Sequence, residues 1–119
     1  MQRFTELRVW RRSHQLALDI YRETKSFPRD ERFGVVAQIR RAAVSAPCNI
    51  AESAKRRRNP DDARLLNIAE GSLAETEALP RLSKDLGFGK LARIDQLVAE
   101  SEEIARMVNA LRASVESEG

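Results

Sequence analysis

The sequence predicts an all-α protein: a single antiparallel four-helix bundle occupying residues 1–119. Three observations carry this expectation. Apolar residues recur at steps of three and four along four separate segments, which is the spacing of one buried face on a helix. The segments are separated by Pro- and Gly-containing stretches so short that successive helices must run antiparallel. Aromatic residues make up only 5% of the chain against 42% hydrophobic residues, so the core must be built from Leu, Ile, Val and Ala, a composition suited to helix packing rather than to a sheet. A chain of 119 residues holds one such core and not two.

The first helix is expected over residues 6–25, with Trp10, Ala17 and Tyr21 beside Leu16, Ile20 and Thr24 on its apolar stripe. Ser26-Phe27-Pro28 closes it, because the residue before a proline is pushed out of the α region. The second is expected over 30–58, with Asp30 as N-cap, Glu31 in the first turn, and Val36, Ile39, Ala43, Ala46, Ile50 and Ala54 facing inward. Pro47 removes one helical hydrogen bond midway, so the segment is either a kinked long helix or two shorter ones. The apolar spacing keeps its phase across Pro47, which favours the kink.

Asn59-Pro60-Asp61-Asp62 marks the start of a third helix over 60–86, with asparagine capping, proline in the first position and two acids complementing the dipole. Leu65, Ile68, Ala69, Ser72, Leu73, Thr76, Leu79 and Leu82 form its inward face, and Pro80 is expected to bend it. Gly87-Phe88-Gly89 ends it with a glycine placed for a left-handed cap. The fourth helix, over 90–116, has the most regular pattern: Ile94, Leu97, Ser101, Ile104, Val108, Leu111 and Val115 alternate steps of three and four, a packing seam with one small polar interruption.

The residues predict no enzyme, cofactor or metal site. His14 is the sole histidine and reads as a helical surface residue, while no glycine cluster forms a phosphate-cradling loop. Cys48 is the sole cysteine, so no intrachain disulfide forms; with Pro47 and Ile50 as neighbours it reads as a small buried hydrophobe. The opening residues lack the apolar run of a signal peptide, and no stretch approaches the ~20 apolar residues that span a bilayer. The expectation is a cytoplasmic protein.

Charge is unevenly distributed. Residues 1–58 hold 14 Lys/Arg and 6 Asp/Glu, whereas residues 59–119 hold 7 and 12. Such a split suits either a basic half facing a polyanion or two halves that attract each other, within the bundle or between subunits. Lys55-Arg56-Arg57-Arg58 at the end of the second helix, joined by Arg11-Arg12 and Arg40-Arg41, are the candidates for contacts to RNA or DNA phosphates. The same four cations would also complement the carbonyl end of a helix dipole. A second constellation is polar: Arg41, Ser45, Asn49, Glu52 and Arg56 share one helix face, and Ser72, Glu75 and Thr76 of the third helix could meet them. It reads as a hydrogen-bond network fixing helix register, or as a polar groove for a ligand or protein partner.

The segments Gln38-Ile39-Arg40-Arg41-Ala42-Ala43-Val44-Ser45-Ala46-Pro47-Cys48-Asn49-Ile50-Ala51-Glu52 and Ile68-Ala69-Glu70-Gly71-Ser72-Leu73-Ala74-Glu75-Thr76-Glu77 resemble the signatures of the bundle proteins encoded in intervening sequences of bacterial 23S ribosomal RNA genes. Phe4, Leu7-Arg8-Val9-Trp10, Tyr21, Phe27-Pro28, Phe33-Gly34 and Leu86-Gly87 extend the resemblance over nearly the whole chain. It implies a left-turning up-and-down bundle that assembles into a homo-oligomer, a pentamer, with no settled biochemical activity. Similar bundle proteins accompany diversity-generating retroelements, where a basic pentamer is thought to bind nucleic acid and a reverse transcriptase; by analogy this implies a role with RNA or DNA. Two positions depart from the family pattern: Ser53 stands where glycine is usual, and Pro80 interrupts a helix that is usually unbroken.

Overall fold

A computed structural model describes residues 3–118; Met1, Gln2 and Gly119 lie outside the described residues. Four helices account for most of the chain: α1 (Arg8–Thr24), α2 (Val35–Lys55), α3 (Asp61–Asp85) and α4 (Leu91–Glu118). They form an elongated body of 45 × 21 × 20 Å. Each helix packs against its neighbours in sequence and α1 also packs against α4, whereas the Cα atoms of α1 and α3, on opposite corners, nowhere come within 8 Å of each other. Polar contacts record the order of residues across the joints. Glu70 meets Arg112, Thr76 meets Ser101 and Lys84 meets Asp95, so partner numbers fall along α4 as they rise along α3. The α2–α3 joint has the same reversal, from Ser45 with Ser72 to Ser53 with Asp62.

The core follows from the apolar stripes. Leu16 and Ile20 of α1, Ile39 and Ile50 of α2, Leu66 and Leu73 of α3, and Ile94, Ile104 and Val108 of α4 are all buried. On α2, Ala42, Ala43 and Ala46 are buried as well, and their small side chains let the neighbouring helices approach. One core spans all four helices, with Phe27 closing one end.

The ends of the elements explain themselves locally. A 3-10 turn at Phe4–Glu6 and an extended Leu7 precede α1, so the helix starts at Arg8 rather than at residue 6. Asp30 is not the cap of α2: Arg29–Glu31 form a separate 3-10 turn, and Gly34, whose helix propensity is poor, delays the helix to Val35. The Glu31 carboxylate instead accepts the Val35 N–H at 3.4 Å. α2 stops at Lys55, three residues short of expectation, and Arg56, Arg57 and Arg58 form the turn to α3. Pro60 already has helical angles, and the Asn59 side chain accepts the Asp61 N–H at 3.0 Å, so the asparagine performs the expected capping. Leu86-Gly87-Phe88 close α3 as a Schellman motif: Phe88 N–H donates to the Ser83 carbonyl and Gly87 N–H to that of Lys84, with Gly87 at φ 80°. α4 runs on to Glu118, beyond the expected residue 116. Both α2 and α3 pass through their prolines as single helices, with Pro47 and Pro80 buried.

Several side chains do not lie where periodicity put them. Cys48 is exposed rather than buried, because it faces away from the stripe formed by Ala43, Ala46 and Ile50. Tyr21, Ile68 and Leu82 are exposed at 40%, 40% and 46% rather than inward. Each is in helical phase with an apolar neighbour, but on the flank of its helix that no other helix covers.

Candidate functional site

Lys55–Arg58 make up the end of α2 and the turn after it. Arg56 closes the helix, its N–H donating to the Glu52 and Ser53 carbonyls, while its guanidinium lies 3.5 Å from the Glu52 carboxylate. Arg57 turns inward to Asp62, 3.3 Å away. Arg58 sits at φ 71°, in the left-handed region where a side chain costs about 1 kcal/mol, and the Asn59 N–H donates to Arg56 to close the turn around it. Among the described residues, neither Lys55 nor Arg58 has a carboxylate within ion-pair distance. The run therefore divides into two cations bound within the chain and two presented to solvent.

Asp62 is the residue that sequence reasoning missed. Its place in the first turn predicts only a complement to the α3 dipole, yet it is fully buried. Its Oδ1 accepts a short hydrogen bond from Ser53, and its Oδ2 has no hydrogen bond, only the nearby charge of Arg57. The signal was present: Asp62 is in phase with Leu65, Leu66 and Ala69, on the buried stripe. The Ser53 hydroxyl is what reaches this carboxylate.

The other basic candidates divide the same way. Arg12 is clamped by Glu103 at 3.1 Å and Glu100 at 2.8 Å across the α1–α4 joint, and these hydrogen bonds push its pKa further above its ordinary value. The same contact holds the Glu103 carboxyl below its usual range. Arg40 donates to the Thr24 hydroxyl at 2.9 Å and the Tyr21 carbonyl at 3.2 Å, and its guanidinium lies over the Tyr21 ring. Arg11 donates only to the Glu6 carbonyl, and Arg41 is exposed. The bond from Arg40 to Thr24 sets the α1–α2 register, which brings the first turns of α1, carrying Arg11, beside the last turns of α2, where the Phe4–Glu6 turn also packs. One end of the bundle thus gathers Arg11, Lys55 and Arg58.

The polar face is partly assembled. Ser72 donates to Ser45 at 2.7 Å across the α2–α3 joint, and Asn49 donates to the Ser45 hydroxyl at 3.1 Å and carbonyl at 2.8 Å. Glu52 faces solvent with Arg56, and Glu75 is exposed away from the trio. Thr76 turns the other way and donates to Ser101 of α4, inside the seam. Of these three hydrogen bonds only that from Ser72 to Ser45 joins two helices, while the two from Asn49 stay within α2. Two open grooves lie elsewhere: one of about 710 Å³ between α1 and α4, lined by Arg12, Asp19, Arg22, Lys90 and Arg93 among others, and one of about 730 Å³ beside Arg58, Pro60 and Glu116. Both mix the two signs of charge, the second setting Arg58 beside Glu116 and Glu118.

No described helix is long and apolar enough to cross a membrane. No curated protein matches the chain. A family model, that of the 23S rRNA-intervening sequence proteins, matches residues 5–110, a span that contains all four helix cores, the Ser45–Ser72 joint and the basic turn. The chain belongs to the 23S rRNA-intervening sequence protein family.

Proposed function

We propose that this protein is a non-enzymatic, cytoplasmic bundle that binds the phosphates of RNA or DNA through the cations at the α1–α2 end. The observation that supports this reading is the distribution of unpaired charge. Among the described residues Arg64, Arg81, Lys84 and Arg112 of the second half are held in ion pairs and Lys90, Arg93 and Arg106 are not, whereas in the first half Arg11, Lys55 and Arg58, gathered at one end, and Arg41 have no carboxylate partner. Unpaired, solvated cations release condensed counterions when they meet a phosphate backbone, which gives sequence-tolerant and salt-dependent binding. The test is fluorescence anisotropy with a mixed-sequence single-stranded RNA and its DNA counterpart. With three phosphates neutralised by Arg11, Lys55 and Arg58, affinity should fall about 20-fold between about 50 and 200 mM salt. Reversing Arg11, Lys55 and Arg58 to glutamate should abolish binding at unchanged helicity. No binding by the wild type at low salt would refute the reading.

A second reading, self-assembly into a homo-oligomer such as the pentamer implied by the family, draws support from the exposed apolar side chains on α1, α2 and α3. Light scattering should find a fixed multiple of the 13.5 kDa chain, and a monomer at tens of micromolar would refute it.

A further inference from the structure

The exposed apolar side chains of the helix bodies fall on two different faces. On α3, Ile68, Glu75 and Leu82 follow one another every seven residues, with Gly71 and Ala78 between them, so one strip of about 21 Å runs along the outside of the helix. Its charge is negative: the ion pairs of α3 use Arg64, Glu70, Glu77, Arg81 and Lys84 but leave Glu75 unpaired among the described residues. The other face lies across α1 and α2, where Leu18, Tyr21 and Val44 are exposed at about the same 40–43%. Its charge is positive, from Arg40 over the Tyr21 ring and Arg41 facing solvent. The helices α1 and α3 lie on opposite corners with no close approach of their backbones, so Leu18 and Ile68, both facing outward, belong to separate sides of the molecule.

We propose that the α3 strip of one copy docks on the α1–α2 face of a second copy, Ile68 and Leu82 covering Leu18, Tyr21 and Val44 while Glu75 meets Arg40 or Arg41. This rests on the self-assembly reading. A second copy fits because the chain itself carries both an apolar strip with a negative charge and an apolar face with positive ones. Pairing either face with itself would bring like charges together. The contact is head-to-tail, so each copy keeps one face of each kind open to a further copy, and the assembly either closes into a ring or extends.

The test uses Val44→Glu and Ile68→Glu, both at exposed positions, in size-exclusion chromatography with light scattering, with circular dichroism to check that helicity is kept. Each variant alone should be monomeric, because each lacks one half of the contact. Mixed in equal amounts they should form a dimer and nothing larger, since the intact α3 strip of Val44→Glu can still dock on the intact α1–α2 face of Ile68→Glu. Variants that keep the wild-type assembly, or a mixture that stays monomeric, would overturn this pairing of faces while leaving self-assembly intact. A monomeric wild type would overturn the self-assembly reading itself. If either variant loses helicity, Leu18→Lys and Leu82→Lys replace the pair, with the same outcomes.

Discussion

Asp62 is a carboxylate wholly inside the bundle, and its environment sets what its removal costs. Ser53 donates to one of its oxygens and Arg57 faces the other, so the side chain ties the end of α2 to the first turn of α3. Replacing it with alanine leaves the Ser53 hydroxyl buried without its acceptor, and should lower the unfolding free energy by about 2–3 kcal/mol in urea titration. Ser53→Ala removes the donor, and the two substitutions should be strongly non-additive in a double-mutant cycle. Arg58 is the opposite case. Its left-handed backbone favours glycine, so Arg58→Gly should leave thermal stability unchanged or raise it by up to about 1 kcal/mol. The same substitution should weaken RNA binding, which separates a residue kept for its charge from one kept for the fold.

At the scale of the element, the two glycines after α3 make different demands. Gly87 at φ 80° has open space where a Cβ would go, whereas at Gly89, φ 75°, a Cβ would meet the Phe27 ring at 2.9 Å and Ile94 at 3.1 Å. Gly87→Ala should therefore cost about 1 kcal/mol from the backbone alone, and Gly89→Ala more, because it must also displace the ring that closes the core. The α3–α4 joint carries a pH dependence. Partial burial of Glu70 alone would raise its pKa, but hydrogen bonds from Arg112 and Asn109 outweigh this and hold the carboxyl below its ordinary 4.5. A carboxyl whose folded pKa is depressed stabilises fully above its unfolded value, and that contribution disappears as pH falls through the lower folded value. The stability difference between wild type and Glu70→Gln should thus be largest above about pH 5 and shrink towards about pH 3 in denaturant titrations.

For the whole molecule, what could be read in the sequence was whatever depends on spacing along one helix. The four helices, the α4 seam through Ser101 and the left-handed cap at Gly87 follow from period and turn chemistry, and the structure contains all of them. The Ser45–Ser72 contact was likewise foreseen, because residues four apart share a face and the short turn folds α3 back on α2. What spacing cannot supply is which flank of a helix its neighbours cover. Ile68 and Leu82 are as apolar and as regular as Leu66 and Leu73, yet the packing of α3 against α2 and α4 leaves them outside. Cys48 was misplaced for the same reason, since its neighbours Pro47 and Ile50 are buried and it is not. The basic run illustrates the limit for function: its four cations are equivalent as letters, and only the fold separates Arg57, held by Asp62, from Arg58, held out to solvent.

The stack of Trp10 on His14, ring centroids 4.8 Å apart, was not anticipated. Trp10 is the sole indole of the chain, edged on its other side by Phe4. It stands in the first turn of α1, next to Arg11, so the molecule carries its own spectroscopic label. An oligonucleotide arriving at the basic end should change the intensity or wavelength of the emitted light without any dye being attached.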